Sequence, residues 1–438
     1  MGKGIQRIEI YVGDRSLTPY GGMFLFQQFC RKLDVKGLLQ RNIHWQRRKR
    51  IYHPAELIMT ILYTMVAGMK RISATRILNY NGYFQSLLGF KHFPGVSTLR
   101  EFMTSLRPNE IEGIVRLHDL LRVRLNPLMG IKSSLVLDLD STVLSVFGWQ
   151  IEGAEIGYHP KYPGRPRYHP LLCFEGHTRN IWHAVFREGD KSTLSGIEEF
   201  WQACQMKFPA YLYRIRLRAD AGFYAYRFIE ILEGQKIYYV IVAKMTKPIK
   251  TKIQTLRYKD FSQNLWQVAE FMYQPQGWPA PHRFIAIRRP CSHTKKDSQI
   301  QLWEHKKYFY HVLVTNLGIK PPFVWYSYKK RARGELDIRE LKESFPLGKI
   351  PSRHFLANQA HFHLILLAYD LINWFKHLSL PQRWHTANLQ TIRTDLLVVP
   401  ARLVHTGHQR NCLKLPFGYI HHKAFCQALK NIERLKVW

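Results

Sequence analysis

The chain has 438 residues, of which 65 are Lys or Arg and 31 are Asp or Glu, so its formal net charge is +34. A hydrophobic fraction of 46% and an aromatic fraction of 13% are enough to form packed cores, which excludes a wholly disordered chain. A folded chain this basic repels itself unless it binds a polyanion; nucleic acid is the usual one, and an anionic membrane surface is the rival.

No segment predicts export or a membrane span. The first ten residues lack the apolar core of a signal peptide, and the apolar run over residues 57–69 is shorter than the ~20 residues that a span needs. The six cysteines form no CxxC pair, which argues against a zinc knuckle or a disulfide framework. We therefore expect a cytoplasmic chain with no membrane partner.

Residues 1–130 are predicted to be a helical N-terminal region. Residues 54–69 carry apolar side chains around most of a helix circumference, as a buried helix does. Ser73 and Ser97 are predicted to cap two further helices. A basic cluster at residues 47–50 is either a solvated loop or a patch that binds phosphates.

The pattern changes near residue 131, where short β-rich runs begin. The first such run lies before a Pro/Gly-rich stretch, and two others follow it. With these three runs, residues 131–245 are predicted to form, in order, three strands, a helix, a strand, a helix and a strand. That is the chain order of a ribonuclease-H-like fold, an α/β domain in which helices cover a mixed sheet. A strand over 143–149 is expected to pair with the first one.

The remaining residues predict three further segments. Residues 246–320 form a β-rich insertion, residues 321–380 complete the α/β domain with helices, and residues 381–438 form a C-terminal region. The insertion is too long to be a plain loop.

Acids are scarce, so the positions of three of them are informative. Asp138 and Asp140 lie at the end of the first predicted strand, and Asp220 ends another. These strands are neighbours in the predicted fold, so their acids meet at one edge of the sheet, where carboxylates repel unless a cation such as Mg²⁺ or Mn²⁺ intervenes. Either Asp138 or Asp140 fits; we favour Asp140, which is followed by Ser-Thr at the mouth of the strand.

A fourth acid is indicated by helical spacing. On a single helix, Tyr328, Arg331, Glu335 and Lys342 lie within about 60° of one another. A carboxylate flanked by two cations and a phenol suits a site that binds metal and phosphate together. The alternative is an Arg331–Glu335 salt bridge on a solvated face.

These residues resemble those of a known family. The sequences LDLDST at 137–142 and RADAGFY at 218–224, together with the Y-R-E-K spacing of the helix, resemble the DDE transposases of bacterial insertion sequences. The resemblance covers about residues 130–400.

The resemblance implies a catalytic triad of Asp140, Asp220 and Glu335, which would also bind two Mg²⁺ or Mn²⁺ ions. It implies cut-and-paste transposition: binding to the terminal inverted repeats of an element, cleavage at its ends, and joining of the 3′ hydroxyls to target DNA. It also implies a homodimer on DNA and association with the nucleoid during transposition. The helical N-terminal region is expected to serve in DNA binding and assembly, and either this region or the insertion is expected to recognise the DNA ends.

The same resemblance assigns DNA contacts. Tyr328, Arg331 and Lys342 would hold the DNA end, and a tryptophan of the insertion, Trp303 or Trp278, would stack on a flipped base. Other basic residues near the proposed site are predicted to bind phosphates unless they form solvated faces: Lys161, Arg165, Arg167, Lys329, Lys330, Arg333 and Arg339.

Two other functions share these features. A ribonuclease-H-like DNA endonuclease would have the same acids but would not join ends. A non-catalytic DNA-binding regulator derived from a transposase is the second alternative, although such a chain is expected to lose its acids early.

Overall fold

A computed structural model describes residues 13–14, 16–46, 51–90, 92–131, 133–148, 150–157, 162–261, 265–291, 303–305, 308–406 and 410–437. The chain divides into two compact units. The first contains Met1–Leu117 and Trp374–Trp438, and the second contains His118–Asn373. The basic cluster predicted at 47–50 lies outside the described residues.

The first unit is mainly helical within its described residues. The helix predicted over 54–69 is observed as Pro54–Val66, and nearly every residue in it is buried. The guanidinium of Arg393 donates to the carbonyl oxygens of Met65 and Val66 at the end of this helix. All of its side chains except that of Glu56 are buried, as the apolar residues around most of its circumference predict.

The elements of the first unit include a small antiparallel sheet. Its strands are Leu17–Thr18, Ala401–Thr406 and Arg410–Lys414. Its helices and helical turns are Met23–Lys32, Val35–Asn42, Pro54–Val66, Ile72–Tyr80, Gly82–Leu88, Val96–Thr104, Gln382–Trp384, Leu389–Ile392, Arg393–Leu397 and His422–Arg434. The helices Pro108–Leu125 and Phe355–Ser379 contribute residues to both units.

Both predicted serine caps are wrong. The 3₁₀ helix Ile72–Tyr80 begins after Arg71, so Ser73 lies inside it. The helix Val96–Thr104 begins after Gly95, so Ser97 lies in its first turn. A helix starts where its backbone leaves the extended region, and Arg71 and Gly95 already have that extended geometry.

The second unit is built on a mixed sheet of ten described strands. Its strands, in spatial order, are Lys259–Asp260, Gln267–Tyr273, His282–Pro290, Tyr308–Thr315, Tyr238–Val242, Arg214–Ala219, Ser134–Ser141, Leu171–Glu175 and Ile181–Val185, with Trp303–His305 paired beside Tyr308–Thr315. The strands Ser134–Ser141, Arg214–Ala219 and Tyr238–Val242 run parallel, and the remaining pairs are antiparallel.

Hydrophobic residues cover both faces of this sheet. Along Tyr238–Val242, Tyr239 and Ile241 belong to one buried cluster and Val240 and Val242 to another. This alternation follows from the period of two along a strand. Helices cover both faces: Ile197–Gln205, Tyr226–Gly234 and Lys247–Gln254 pack into the first cluster, and Pro321–Lys329 packs into the second.

The strand predicted over 143–149 is wrong in length and pairing. Among residues 143–148, which the structure describes, Leu144–Ser145 is the one strand segment, and it pairs with Pro166–Tyr168 in a small sheet that also includes Glu155–Ile156. The first strand of the unit, Ser134–Ser141, is already hydrogen-bonded on both edges, to Leu171–Glu175 and Arg214–Ala219. It therefore has no edge free for a further partner.

Within the described residues, no helix is both long enough and apolar enough to span a membrane. The segment boundaries predicted at residues 130, 245, 320 and 380 stay predictions.

Candidate active site

Two parallel strands bring Asp140 and Asp220 to the same edge of the sheet. Asp140 is the penultimate residue of Ser134–Ser141, which we call the Asp140 strand, and Asp220 directly follows Arg214–Ala219. The register pairs Leu139 with Ala219, so each acid is one residue beyond a matched pair. Asp220 also caps the next helical turn, because its Oδ1 accepts a hydrogen bond of 2.8 Å from the Gly222 amide.

Glu335 reaches this edge from a separate helix. The single helix predicted through Tyr328 and Lys342 is wrong: Pro321–Lys329 ends, and Ala332–Glu343, which we call the Glu335 helix, begins after Arg331. The Arg331 amide donates to the Tyr328 carbonyl and the Gly334 amide to the Arg331 carbonyl. These i→i+3 bonds tighten the chain between the helices, and Gly334 lowers the local helix propensity.

The three acids line one pocket, which opens to solvent and whose empty volume, including its mouth, is about 610 Å³. Tyr328 and Arg331 line it as well, despite the break between the helices. The complete lining is Asp140, Asp220, Ala221, Val242, His311, Trp325, Tyr328, Lys329, Arg331, Ala332 and Glu335.

Arg331 lies between the two aspartates. Its Nη2 is 3.1 Å from Asp140 Oδ2 and 3.8 Å from Asp220 Oδ2, and it donates to the Leu139 carbonyl at 3.0 Å. The side chain is only 5% exposed, so the face that carries it is not solvated. Its Nε is a buried donor for which no described residue supplies an acceptor. An unsatisfied buried donor is costly, and a bound anion would relieve that cost.

The pocket opposes the ionisation of Asp140 and Glu335. Burial raises the pKa of Asp140 to about 6; Arg331 works against this shift, and the nearby charges of Asp220 and Glu335 add to it. Burial likewise raises the pKa of Glu335, against the effects of Arg331 and Arg339. Additional positive charge near Asp140 and Glu335 would therefore stabilise the ionised forms of these two carboxyl groups.

Asp138 points to the same face of the strand as Asp140 but does not line the pocket. Its Oδ1 accepts from Arg218 Nε at 2.6 Å, and its Oδ2 accepts from Arg218 Nη2 at 2.7 Å and Arg179 Nη1 at 2.8 Å. Burial opposes its ionisation, but Arg218 and Arg179 overcome that effect and hold its pKa below the usual value. Its oxygen atoms are occupied by guanidinium groups, which leaves Asp140 as the acid available to a ligand.

The other two residues of the predicted helix face differ in position. Tyr328 is buried against Trp325 and His311, and burial raises its pKa to about 12. Lys342 is not among the pocket-lining residues; its Nζ donates to the Val143 carbonyl at 3.1 Å. Through Lys342, the end of the Glu335 helix contacts the segment that follows the Asp140 strand.

The predicted basic contacts fall into two groups. Lys329, Lys330, Arg333 and Arg339 are exposed, and Lys329 lines the pocket. Two others lie in the Pro/Gly-rich stretch: the Arg165 guanidinium packs over the Phe147 ring at 4.5 Å, and Arg167 is buried with its Nε donating to the Gly189 carbonyl at 2.9 Å. That burial favours a structural role for Arg167. Lys161 lies outside the described residues.

The two tryptophans considered for base stacking differ as well. Trp278 is packed against Tyr224, Tyr226 and His282, with ring centroids 4.8 to 5.5 Å apart. Trp303 lies in the short strand Trp303–His305, and its side chain is outside the described residues.

Sequence reasoning missed several residues at the site. Trp325 shares a helix face with Tyr328 at the i, i+3 spacing, which is a signal that could have found it. His311 lies on the strand Tyr308–Thr315, and nothing in its sequence neighbourhood marks it. Arg179 and Arg218 hold Asp138, and only the tertiary structure shows that pairing.

The acids fit a divalent cation in type, although they do not form a preassembled site. Carboxylate oxygens are the ligands that Mg²⁺ and Mn²⁺ prefer. Within the described ranges, no three His, Cys, Asp or Glu side chains converge closely enough to hold a metal ion. In this structure Arg331 supplies the positive charge between Asp140 and Asp220.

A pocket lined by three acids, two of which lie at the ends of neighbouring parallel strands, is a candidate active site. The profile described as "Transposase DDE domain group 1" matches residues 3–437, and the chain belongs to that family. DDE transposases are DNA-cleaving enzymes and generally use divalent metal ions.

The chain aligns with a structure described as "Cryo-EM structure of piggyBac transposase synaptic complex with hairpin DNA", at 10% identity and a TM-score of 0.42. The alignment covers 86% of this chain and 85% of that one. No match was found among curated proteins.

Proposed function

We propose that this chain is a DNA transposase that binds the terminal inverted repeats of an insertion sequence, cleaves DNA at its ends and joins the 3′ hydroxyls to target DNA, as in cut-and-paste transposition. The observation that carries the proposal is the pocket that Asp140, Asp220 and Glu335 line together with the buried Arg331. Membership of a DDE transposase family supports it.

The proposed catalytic domain is ribonuclease-H-like. The strand order supports this, because Ser134–Ser141 lies between an antiparallel pair and two parallel strands that follow it through helices. Between Asp220 and Glu335 the sequence numbers differ by 335 − 220 = 115. The β-rich insertion in this interval extends the same sheet, since Tyr308–Thr315 pairs with Tyr238–Val242.

Asp140, Asp220 and Glu335 would hold two Mg²⁺ or Mn²⁺ ions. Such ions, when bound, activate the attacking oxygen and stabilise the leaving oxygen of a phosphoryl transfer. The raised pKa values of Asp140 and Glu335 support this assignment, because a divalent cation would favour the ionised carboxylates.

Basic residues around the pocket would position the DNA. Arg331 would offer its buried Nε to a phosphate oxygen, and Lys329 would bind phosphate from the pocket wall. Further contacts along the DNA backbone would come from three exposed residues, Lys330, Arg333 and Arg339. Such contacts fix the register of the DNA without reading its sequence.

Transposition acts on two DNA ends, so we propose a homodimer on DNA. The predicted N-terminal DNA-binding and assembly region, with its described helices between Met23 and Leu125, is the proposed source of end recognition.

The test is a cleavage and strand-transfer assay on a labelled duplex that carries the element's own terminal repeat, with Mg²⁺ or Mn²⁺. The variants are Glu335→Gln and, as a matched control, Glu343→Gln, an exposed glutamate of the same helix that does not line the pocket. We expect nicked and joined products from the wild type and the control, and neither product from Glu335→Gln.

Three other results are informative. Cleavage without joining would indicate the endonuclease. Tight binding without chemistry in either metal would indicate the regulator. Full activity of Glu335→Gln would remove Glu335 from the proposed site.

A further inference from the structure

A second layer of charged residues lies behind the pocket. Asp138 is two residues before Asp140, Arg218 is two residues before Asp220, and Asp337 is two residues after Glu335. On a strand, a spacing of two keeps both side chains on one face. Asp138 therefore lies on the same strand face as Asp140, whereas Asp337 points to nearly the opposite side of the Glu335 helix from Glu335.

The first link in this layer joins the two strands. Asp138 and Arg218 are direct partners in the parallel ladder, and Arg218 contacts both carboxylate oxygens of Asp138. Arg218 Nη1 also donates to the Ser327 carbonyl at 2.7 Å, one residue before Tyr328. The two strands that carry the aspartates are thus cross-linked by a bidentate ion pair, which has a defined geometry.

The second link joins the Asp140 strand to the Glu335 helix, through Arg179. Arg179 Nη1 donates to Asp138 Oδ2 at 2.8 Å, and Arg179 Nε donates to Asp337 Oδ2 at 2.6 Å. The Tyr369 hydroxyl donates to the other oxygen of Asp337 at 3.2 Å. One guanidinium therefore bridges the two elements that carry Asp140 and Glu335.

The backbone around this bridge is specialised for it. Arg179 lies in the connection between Leu171–Glu175 and Ile181–Val185, with a φ of 66° in the left-handed region. That conformation is unfavourable for a residue with a Cβ, so surrounding contacts have to maintain it. At Gly334 a Cβ would lie 3.3 Å from Arg179 Nη2, so the Glu335 helix approaches the guanidinium closely.

From these contacts we propose that Arg179 is a positioning residue, which holds the Glu335 helix against the Asp140 strand and thereby fixes the spacing of the three pocket carboxylates. The inference rests on the proposed function. Arg179 itself does not line the pocket, so it acts through Asp138 and Asp337. Loss of such a supporting contact commonly weakens metal affinity or activity by 10- to 100-fold.

The experiment measures Mn²⁺ binding to the full-length, DNA-free protein from the electron paramagnetic resonance signal of free Mn²⁺. The cleavage assay is run in parallel as a function of Mn²⁺ concentration. The variants are Arg179→Gln, Asp337→Asn and their double substitution. Asp337→Asn is nearly isosteric and leaves Arg179 paired with Asp138, so it provides a test if Arg179→Gln fails to fold.

The matched control is Arg122→Gln. Arg122 is also a buried arginine of the second unit, but it pairs with Asp119 and packs over Trp182 rather than contacting a pocket element. Its loss should lower stability without changing Mn²⁺ affinity, which is the behaviour of a residue with a structural role alone.

We expect Arg179→Gln and Asp337→Asn each to weaken Mn²⁺ binding at least 10-fold. The doubly substituted protein should bind Mn²⁺ no more weakly than the more affected of the two single variants, because both substitutions remove the same contact. Wild-type Mn²⁺ affinity in both single variants, or an equal loss in Arg122→Gln, would overturn the positioning role alone. If the wild type neither binds Mn²⁺ nor cleaves, the proposed function fails, and this inference fails with it.

Discussion

Two aspartates on one strand face have opposite electrostatic environments. Asp138 is paired with two guanidinium groups, which hold its pKa below the usual value against the effect of burial. Asp140 has one partial cationic partner and two acidic neighbours, and burial raises its pKa to about 6. Asp138 therefore stabilises the fold when ionised, whereas ionised Asp140 opposes it.

Replacing Asp140 should stabilise the metal-free protein and abolish its chemistry. The folded-state pKa of about 6 lies above the ordinary value of 3.8. The cost of ionising Asp140 therefore appears as the pH rises from about 4 to 6 and remains above that range. In a chelating buffer at pH 7.5, Asp140→Asn should raise the free energy of unfolding by about 1 to 3 kcal/mol. Denaturant unfolding at pH 4 and 7.5 measures this change.

Asp138→Asn is the control with the opposite sign. Removing one partner of a buried ion pair leaves uncompensated charge, so we expect a loss of about 3–5 kcal/mol at pH 7.5. The contribution of Asp138 is present above its unfolded pKa and is lost as the pH falls below it. Equal effects of the two substitutions would contradict the separate roles given to these acids.

At the scale of elements, the break between Pro321–Lys329 and the Glu335 helix determines which residues meet. It places Arg331 inside the pocket and leaves Lys342 against Val143. The approach of the Glu335 helix depends on Gly334, where an added Cβ would lie 3.3 Å from Arg179 Nη2 and 3.9 Å from Asp140 Oδ2.

Gly334→Ala should therefore impair cleavage without the stability gain that alanine usually brings to a helix. In a helix, replacing Gly with Ala usually raises the free energy of unfolding by up to about 1 kcal/mol. Here the added methyl group would displace Arg179, which two carboxylates hold, and this displacement offsets the gain. We expect at least a 10-fold loss of cleavage rate, since small displacements of catalytic groups are costly. Cleavage rates test the expected loss of activity, and thermal unfolding tests the absence of a stability gain.

Gly234→Ala is the matched control. Gly234 ends the helix Tyr226–Gly234, and a Cβ there would meet no atom within 4 Å. It should be neutral or stabilising, with wild-type activity. A wild-type cleavage rate in Gly334→Ala would show that the close approach of the helix does not matter.

At the scale of the whole molecule, the net charge of +34 predicts DNA binding that depends strongly on salt. Each phosphate contact contributes about 0.9 to the slope of log affinity against log salt concentration. Exposed cations near the pocket should therefore contribute to the slope without affecting sequence preference.

Lys330→Gln and Arg339→Gln should each lower the salt slope by about 0.9 and weaken specific and non-specific duplexes alike. Lys236→Gln is the control, because Lys236 is exposed just before Tyr238–Val242, at the opposite end of the parallel strands from Asp140 and Asp220. Fluorescence anisotropy at several salt concentrations measures the slopes. An unchanged slope in both variants would place the DNA elsewhere.

The sequence by itself determined the order of elements and the candidate acids. Alternating apolar runs, a long buried helix and carboxylates at strand ends are local patterns, because the periods of strands and helices act over a few residues. The same patterns predicted that the strands of Asp140 and Asp220 would be neighbours, as they are in the structure.

The tertiary structure alone decided which charges meet. Residues 138, 179, 218 and 337 are far apart in sequence, and the pairing of their side chains depends on the register of two strands and the placement of one helix. The sequence likewise did not predict the helix break at Arg331, because Lys330 and Arg331 are residues that favour a helix. Arg331 at that break is buried beside Asp140 and Asp220, a placement that only the tertiary structure shows.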